Sequence, residues 1–446
     1  MIQATNTRLV PHLEITEKDN ISCEISEHVK QCSRMIDDIG MALELEKLDR
    51  QMLQISQNSR TDAREMSYFS TERKIYGRNG ERDLIISKLT SKESNMQNLS
   101  VLAIVGNGGV GKTALARIVY KDPAVSEHFD KVLWLYVSVY FNEVKIAHEL
   151  LELLHGDRYE NVTDFNELLN ILGYEMKSKR VLLVMDDMWE DNKKEKWDEF
   201  LTPLITNGVK GNMIIVTTRK SSVARMTGAT HDINLDGLEP EDFWCLFKEC
   251  AFGDENHIGH RKLQRIGRKI AVKLKGYPLA AKSVGKLLKR KLDDEHWTRV
   301  LDNTEWKNQK DDNDIIPALK ISYNYLPKHL QKCFSYCSVF PKNHRYDEKR
   351  LVHIWIAQGF VPFTDQCTRA EEIGSKYLAD LIDWGFFLSE PPRSSLLMHD
   401  LVHDLAQIVS SHESFTIEDF KPAGDIQLIR HVSIISNHQV GILWAV

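Results

Sequence analysis

The chain has 446 residues, 42% of them hydrophobic and 27% charged, with a formal net charge of −6. Such totals describe about two to four soluble globular domains and offer no overall electrostatic attraction to nucleic acid or an anionic membrane. No apolar run approaches the roughly 18 residues of a membrane span, and the start, MIQATNTRLVPHLEITEKDN, lacks the apolar core of a secretion signal.

Residues 21–60 read as helix, because Ile25, Val29, Cys32, Ile36, Ile39 and Leu43 alternate steps of four and three, the heptad rhythm. The rhythm is brief, so it suits either a short coiled coil or an amphipathic helix packed on a neighbour. Residues 57–74, QNSRTDAREMSYFSTERK, are polar and read as a linker, which makes 1–70 a partial helical N-terminal segment. Four β-rich apolar runs follow: VLAIV (101–105), KVLWLYV (131–137), RVLLVM (180–185) and NMIIVTT (212–218), with a shorter fifth, DINL (232–235). They alternate with helical stretches, and strands so uniformly apolar suit a parallel sheet covered on both faces. The pattern predicts a doubly wound α/β domain over 71–236.

Beyond 237 the strand signal fades. EDFWCLFKECAF, RKLQRIGRKIAVKLKG and LAAKSVGKLLKRKL read as helices, making 237–307 a helical subdomain. The polar stretch NQKDDNDIIP (308–317) marks a boundary, 308–410 is again mostly helical, and 411–446 carries one alternating run, RHVSIIS. The seven cysteines are few, odd in number and irregularly spaced, which suits reduced thiols in the cytoplasm. Cys333 and Cys337 have no second Cys/His pair at finger spacing, so two buried thiols are expected there rather than zinc.

Gly106-Asn107-Gly108-Gly109-Val110-Gly111-Lys112-Thr113 satisfies G-x-x-x-x-G-K-[ST], between an apolar strand and a helix-forming run that begins at Ala114. Glycines let the backbone turn its N–H groups toward phosphate oxygens, and the helix N-terminus adds a positive dipole end. Lys112 is expected on the β- and γ-phosphates and Thr113 on Mg²⁺. RVLLVMDDMW supplies carboxylates at the end of a neighbouring strand: Asp186 to hold Mg²⁺ with Thr113, and Asp187 to orient or deprotonate a water. Arg219 ends a further strand; taken alone it reads as a surface arginine, although a cation there could sense a γ-phosphate. The best match to the guanine-reading N-K-x-D is NKKE (192–195), which ends in Glu, so adenine is favoured.

Taken in order, these motifs resemble the NB-ARC module of plant intracellular immune receptors of the coiled-coil NLR (disease resistance) class, over about residues 70–410. IYGRNGE (75–81) is similar to the segment lining the adenine pocket, with Arg78 as its basic residue. HFDKVLWLYVS resembles the segment after the P-loop helix, and LDGLEPEDFWCLFKECAF the start of the first helical subdomain. GYPLA (276–280) stands where the family has G-L-P-L-A, with Tyr277 in place of leucine. CFSYCSVFPKNHRYDEKRLVHIWIAQGF (333–360) resembles the family's winged-helix motif, and MHDLVHDLA (398–406) contains M-H-D.

The resemblance implies a P-loop NTPase sheet followed by a helical subdomain and a winged-helix subdomain. It implies Arg219 on the γ-phosphate, Pro278 on the nucleotide, and His399 approaching the β-phosphate of ADP. HDLVH (399–403) also echoes the zinc motif H-E-x-x-H, but no third ligand is evident, and His403 is expected to pack or cap within its helix. The acidic E-D-V-I-D motif of the family's N-terminal domain is absent, and 411–446 resembles a lead-in to leucine-rich repeats with no array behind it.

The function implied is an ADP/ATP switch in plant defence, closed with ADP and opened with ATP, that self-associates when ATP-bound and partners a full-length NLR. ATP hydrolysis would be slow at most. A P-loop motor would need a second set of motor motifs, and a DNA-binding winged-helix regulator a basic recognition face; the strongest basic cluster, KLLKRK (286–291), precedes the winged helix.

Overall fold

The computed structural model describes residues 75–444 apart from 93–95, 138–141, 160, 207–208, 254–258, 310–313, 363–368, 391–394, 419–430 and 437–438. The expected N-terminal helix, its heptads and the whole linker at 57–74 lie outside the described residues. The described residues divide into two compact units, one ending at Ser411 and one beginning at His412.

In the first unit, α1 (Asn79–Leu89) leads into β1 (Leu99–Val105), α2 (Lys112–Tyr120), α3 (Pro123–His128), β2 (Lys131–Tyr136), α4 (Glu143–His155), α5 (Phe165–Glu175), β3 (Val181–Met188), α6 (Lys194–Thr206), β4 (Asn212–Thr218), α7 (Ser221–Thr227) and β5 (His231–Asn234). The strands form one parallel sheet in the order β2-β3-β4-β1-β5. Every apolar run read as a strand is one, and NMIIVTT is β4 with all its residues buried. Leu133, Leu183, Ile214 and Val216 of the strands pack with Ile146, Leu150, Leu168, Leu172 and Trp197 of α4, α5 and α6. Asn142 and Asp164 start α4 and α5 by accepting the N–H groups of Lys145 (2.9 Å) and Glu167 (2.8 Å), ordinary N-caps.

The strand order corrects one expectation. β3, which carries Asp186 and Asp187, is not the neighbour of β1; β4 lies between them. The P-loop strand is flanked instead by β5 and by β4, and β4 leads directly into Arg219. β3 also runs past the apolar residues to Met188, with a register slip between Met185 and Met188. Asp187 sits in that slip with φ 58°, a left-handed conformation that aspartate tolerates better than bulky residues.

The chain continues through α8 (Pro240–Phe252), α9 (Arg261–Lys273), α10 (Pro278–Lys289) and α11 (Asp294–Leu301). Phe243, Phe247, Phe252 and Trp297 are buried among them. The sequence reading did not foresee α11, whose start signal is Asp293 accepting from the His296 N–H at 3.0 Å. Then come α12 (Ile316–Asn324), α13 (Lys328–Tyr336), β6 (Tyr346–Asp347), α14 (Glu348–Ala357), α15 (Ala370–Trp384), β7 (Leu388–Glu390), β8 (Ser395–Leu397) and α16 (Asp400–Ser410). The three short strands pair antiparallel as β6-β8-β7, the wing beside the helices. The helical layer is fastened to this part by the Ser283–Ser322 hydroxyl pair (2.8 Å), by Lys286 Nζ donating to Ile382 O (3.2 Å), and by Arg290 lying over the Trp384 ring (4.1 Å).

Cys333 and Cys337 are buried, and Cys337 Sγ donates to Cys333 O at 3.3 Å. Burial pushes the Cys333 thiol up to about 12, so it packs rather than reacts. His403 Nε2 lies 2.7 Å from Phe340 O, a local bond within the winged helix.

Beside it, His344 stacks on Phe340 with ring centroids 4.7 Å apart. Burial, helped by Arg350 and His403, pushes its pKa down to about 4. The folded chain thus keeps His344 neutral while an unfolded chain protonates it below about 6.5. Stability should fall as pH drops from about 6.5 to about 4, by at most about 3 kcal/mol from this group, and level off below. His344→Phe, which keeps the stacking, should flatten the fall in thermal midpoint over that range; parallel curves for both proteins would contradict it.

In the second unit, β9 (Ser414–Glu418), β10 (His431–Ser436) and β11 (Gln439–Trp444) form a sheet in the order β11-β10-β9, with β9 and β10 parallel and β10 and β11 antiparallel. The alternating run RHVSIIS is β10.

Candidate functional site

The loop between β1 and α2 is the centre of the site. Gly111 has φ 103°, which a side chain would oppose, and it turns the chain into α2. Gly108 leaves room for its neighbours: a Cβ there would sit 2.7 Å from Arg219 Nη1 and from Leu401 Cδ1. Lys112 is 6% exposed, and its Nζ donates to Gly106 O (2.8 Å) and Asn107 O (3.0 Å). These bonds brace the loop as a ring and leave one ammonium N–H over. Burial and the Arg219 charge push the Lys112 pKa down to about 8, against the pull of Asp187 and Asp186. An added anion would relieve that cluster of cations.

Across the loop, Asp186 is 1% exposed. Its Oδ1 accepts from Thr113 Oγ1 (2.9 Å) and Thr217 Oγ1 (2.5 Å), while its Oδ2 is buried with no partner. Burial pushes its pKa upward. A buried carboxylate oxygen left without a donor, beside a threonine hydroxyl, suits a hard cation, so the donor set fits Mg²⁺. Asp187 is held differently: its N–H donates to Thr217 Oγ1 (2.9 Å), and its Oδ2 accepts from Trp189 Nε1 (3.1 Å) and lies 3.1 Å from the Tyr136 hydroxyl.

The helical layer reaches the loop through the start of α10. Leu279 N–H donates to Gly109 O (3.2 Å), Pro278 lies against Gly111, and Asn107 Nδ2 donates to the Tyr277 hydroxyl (3.1 Å). The tyrosine that departs from the family pattern thus ties the helical layer to the loop. Arg78 is 7% exposed, and its guanidinium bonds Glu81 Oε1 (2.8 Å), Val110 O (3.2 Å) and Asp236 O (2.5 Å). It brackets the start of α1 to the loop and to the end of β5 through three of its N–H donors. Ala114 follows in the first turn of α2.

The winged helix closes the other side. Arg219, at the end of β4, forms an ion pair with Asp400 at the start of α16, with side chains 16% and 8% exposed, and it stacks over the Trp189 ring at 4.8 Å. His399 caps α16: its Nδ1 accepts from the Leu401 N–H (3.2 Å) and lies 2.6 Å from Asp400 Oδ1. Burial, with Arg219, Lys112 and Lys282 nearby, pushes its pKa down to about 3. The ring is therefore held neutral beside these cations. Sequence reasoning missed Trp189, Tyr136, Thr217 and Asn343, whose only signal is a polar or aromatic residue just after an apolar strand or in a turn.

The site residues so gathered come from a glycine-rich loop, two strand ends, a helix start in the helical layer and a helix start in the winged helix. An NB-ARC domain model matches residues 79–257, and a disease resistance protein winged helix domain model matches 339–406. The chain is 36% identical over 346 residues to disease resistance protein RGA2 of Solanum bulbocastanum, covering 77% of this chain and 35% of that protein. It is 34% identical over 358 residues to putative disease resistance RPP13-like protein 1 of Arabidopsis thaliana, covering 78% and 33%. The chain spans about a third of the length of these relatives. A solved STAND-class signal transduction ATPase with a tetratricopeptide repeat sensor, from Pyrococcus horikoshii, matches 75% of this chain and 43% of its own at 18% identity and a TM-score of 0.46.

Proposed function

Because this chain carries the NB-ARC module of plant NLR disease resistance proteins, we propose that it is an adenine nucleotide switch in plant defence, closed with ADP and opened with ATP. The observation that carries this reading is the Arg219–Asp400 pair, which joins the nucleotide-binding sheet to the winged helix directly over the loop. Arg219 has one guanidinium and two anions that want it. With ADP it stays with Asp400 and holds the winged helix down. A γ-phosphate competes for it, and loss of the pair frees the winged helix. A ligand shifts such an equilibrium only by its differential affinity for the two arrangements, and this exchange is the source of the difference.

Lys112 binds the β- and γ-phosphates with the donor it keeps spare. Thr113 and Asp186 hold Mg²⁺, which when bound neutralises phosphate charge. His399 meets the β-phosphate from the winged helix, Pro278 packs on the nucleotide, and Asp187 orients water for slow hydrolysis that resets the switch. The open form self-associates and works with a full-length NLR in the cytoplasm. Among the described residues no helix is long and apolar enough to cross a membrane.

The test is the nucleotide carried by the purified chain. Denaturation and chromatography should release adenine nucleotide, mostly ADP, at close to one per chain. Guanine nucleotide would overturn the reading, as would a chain that neither carries nor binds ADP.

A further inference from the structure

Asp187 has a second set of neighbours that the switch does not use. Tyr136, the last residue of β2, places its hydroxyl oxygen 3.1 Å from Asp187 Oδ2 and 2.8 Å from Asn343 Oδ1. Asn343 belongs to the turn between α13 and β6, on the winged helix, and it adopts φ 65°. A phenol has one proton, so it can serve the carboxylate or the amide oxygen, but not both at full strength. Trp189 Nε1 gives Asp187 Oδ2 its other bond, at 3.1 Å, and neither bond uses Oδ1. The backbone of Asp187 is left-handed, a conformation that persists only where neighbours hold it.

From this geometry we propose that Tyr136 is a positioning residue for Asp187, and that Asn343 of the winged-helix turn competes for its hydroxyl. While the turn is docked, the shorter contact draws the phenol proton toward Asn343, and Asp187 keeps only the Trp189 donor. When the turn withdraws, the proton goes wholly to Asp187. The carboxylate then has two fixed donors on Oδ2, which sets its rotamer and presents Oδ1. The water-orienting group is thereby least ordered in the closed arrangement and best ordered in the open one, so that hydrolysis is tied to opening. A second contact agrees with this: Lys342, the residue before Asn343, places its ammonium 5.9 Å from the Trp189 ring, so the docked winged-helix turn meets the Asp187 cluster at both Tyr136 and Trp189.

The proposal rests on the switch reading above, and the experiment separates the two. Single-turnover hydrolysis of trace labelled ATP is measured for the full chain, for Tyr136→Phe, for Asn343→Gly, for the double variant and for Lys112→Ala. Glycine suits the left-handed backbone at 343, so Asn343→Gly removes the amide without strain. Tyr136→Phe should lower the rate constant about tenfold, the effect of one hydrogen bond of ordinary strength, with the protein concentration for half-maximal rate unchanged. Asn343→Gly should raise it by roughly threefold to tenfold, on the same scale, and should do nothing in the Tyr136→Phe background. A Lys112-dependent rate that Tyr136→Phe leaves untouched overturns the positioning role. An Asn343→Gly increase of equal size with and without the hydroxyl overturns the competition, because it would mean only looser docking. Hydrolysis that survives Lys112→Ala overturns the switch reading and this proposal together.

Discussion

Lys112→Ala should reduce the affinity for ADP by about 100-fold or more, the size expected when charge-assisted bonds to phosphate are lost. The ammonium is the one side-chain cation inside the loop itself, 6% exposed and braced on Gly106 O and Asn107 O. Its pKa, held near 8 by burial and by Arg219, records an environment already short of negative charge. A phosphate supplies that charge, and the binding free energy is larger for it. Alanine removes the donor and also frees two carbonyls to face the ligand, so both changes act in the same direction. Isothermal calorimetry with ADP and Mg²⁺ checks this, alongside a thermal melt showing that the variant folds. An unchanged dissociation constant would remove Lys112 from the site.

The second large effect is at Asp400. Its pair with Arg219 is mostly buried, with side chains 8% and 16% exposed. Removing one member of a buried pair leaves the other charge uncompensated, which costs about 3–5 kcal/mol. In Asp400→Val that cost falls on the closed arrangement alone, because an undocked winged helix leaves Arg219 free to meet solvent or phosphate. ADP should therefore leave the variant about 100-fold faster than it leaves the wild type, from the lower end of that range. Arg219→Ala with Asp400→Val should be milder than Asp400→Val alone, since no orphaned cation remains. Release can be followed by displacement of a fluorescent ADP analogue. Equal release rates in wild type and Asp400→Val would mean that the pair does not bear on the nucleotide, and that Asp400 serves only the first turn of α16.

Much of the sheet is legible because its strands are buried on both faces and so announce themselves as unbroken apolar runs: NMIIVTT is β4 residue for residue. The P-loop is legible because its glycines and lysine are demanded by backbone geometry at fixed spacing. Strand order is not legible in this way, since nothing local in RVLLVMDD tells that β4 will come between it and β1. The wing was legible only through the resemblance, because β6, β7 and β8 are two or three residues long, too short for any alternation to register. The Arg219–Asp400 pair joins residues far apart in the chain, and sequence alone supplied the two charges but no reason to pair them; only the resemblance brought M-H-D near the loop. Tyr136 and Trp189 were hidden for another reason. Each reads as one more aromatic in an apolar stretch, and its polar atom matters only once β2, β3 and the Asn343 turn have been brought together.

Whether the winged helix reports the nucleotide state is tested most directly by measuring bound nucleotide and molar mass on the same samples, by chromatography after denaturation and by light scattering before it, for wild type and Asp400→Val. The wild type should carry ADP and run at the mass of a single 51.5 kDa chain, and the variant should carry ATP and run as a larger assembly. Equal ADP content and equal mass in both proteins would contradict the latch.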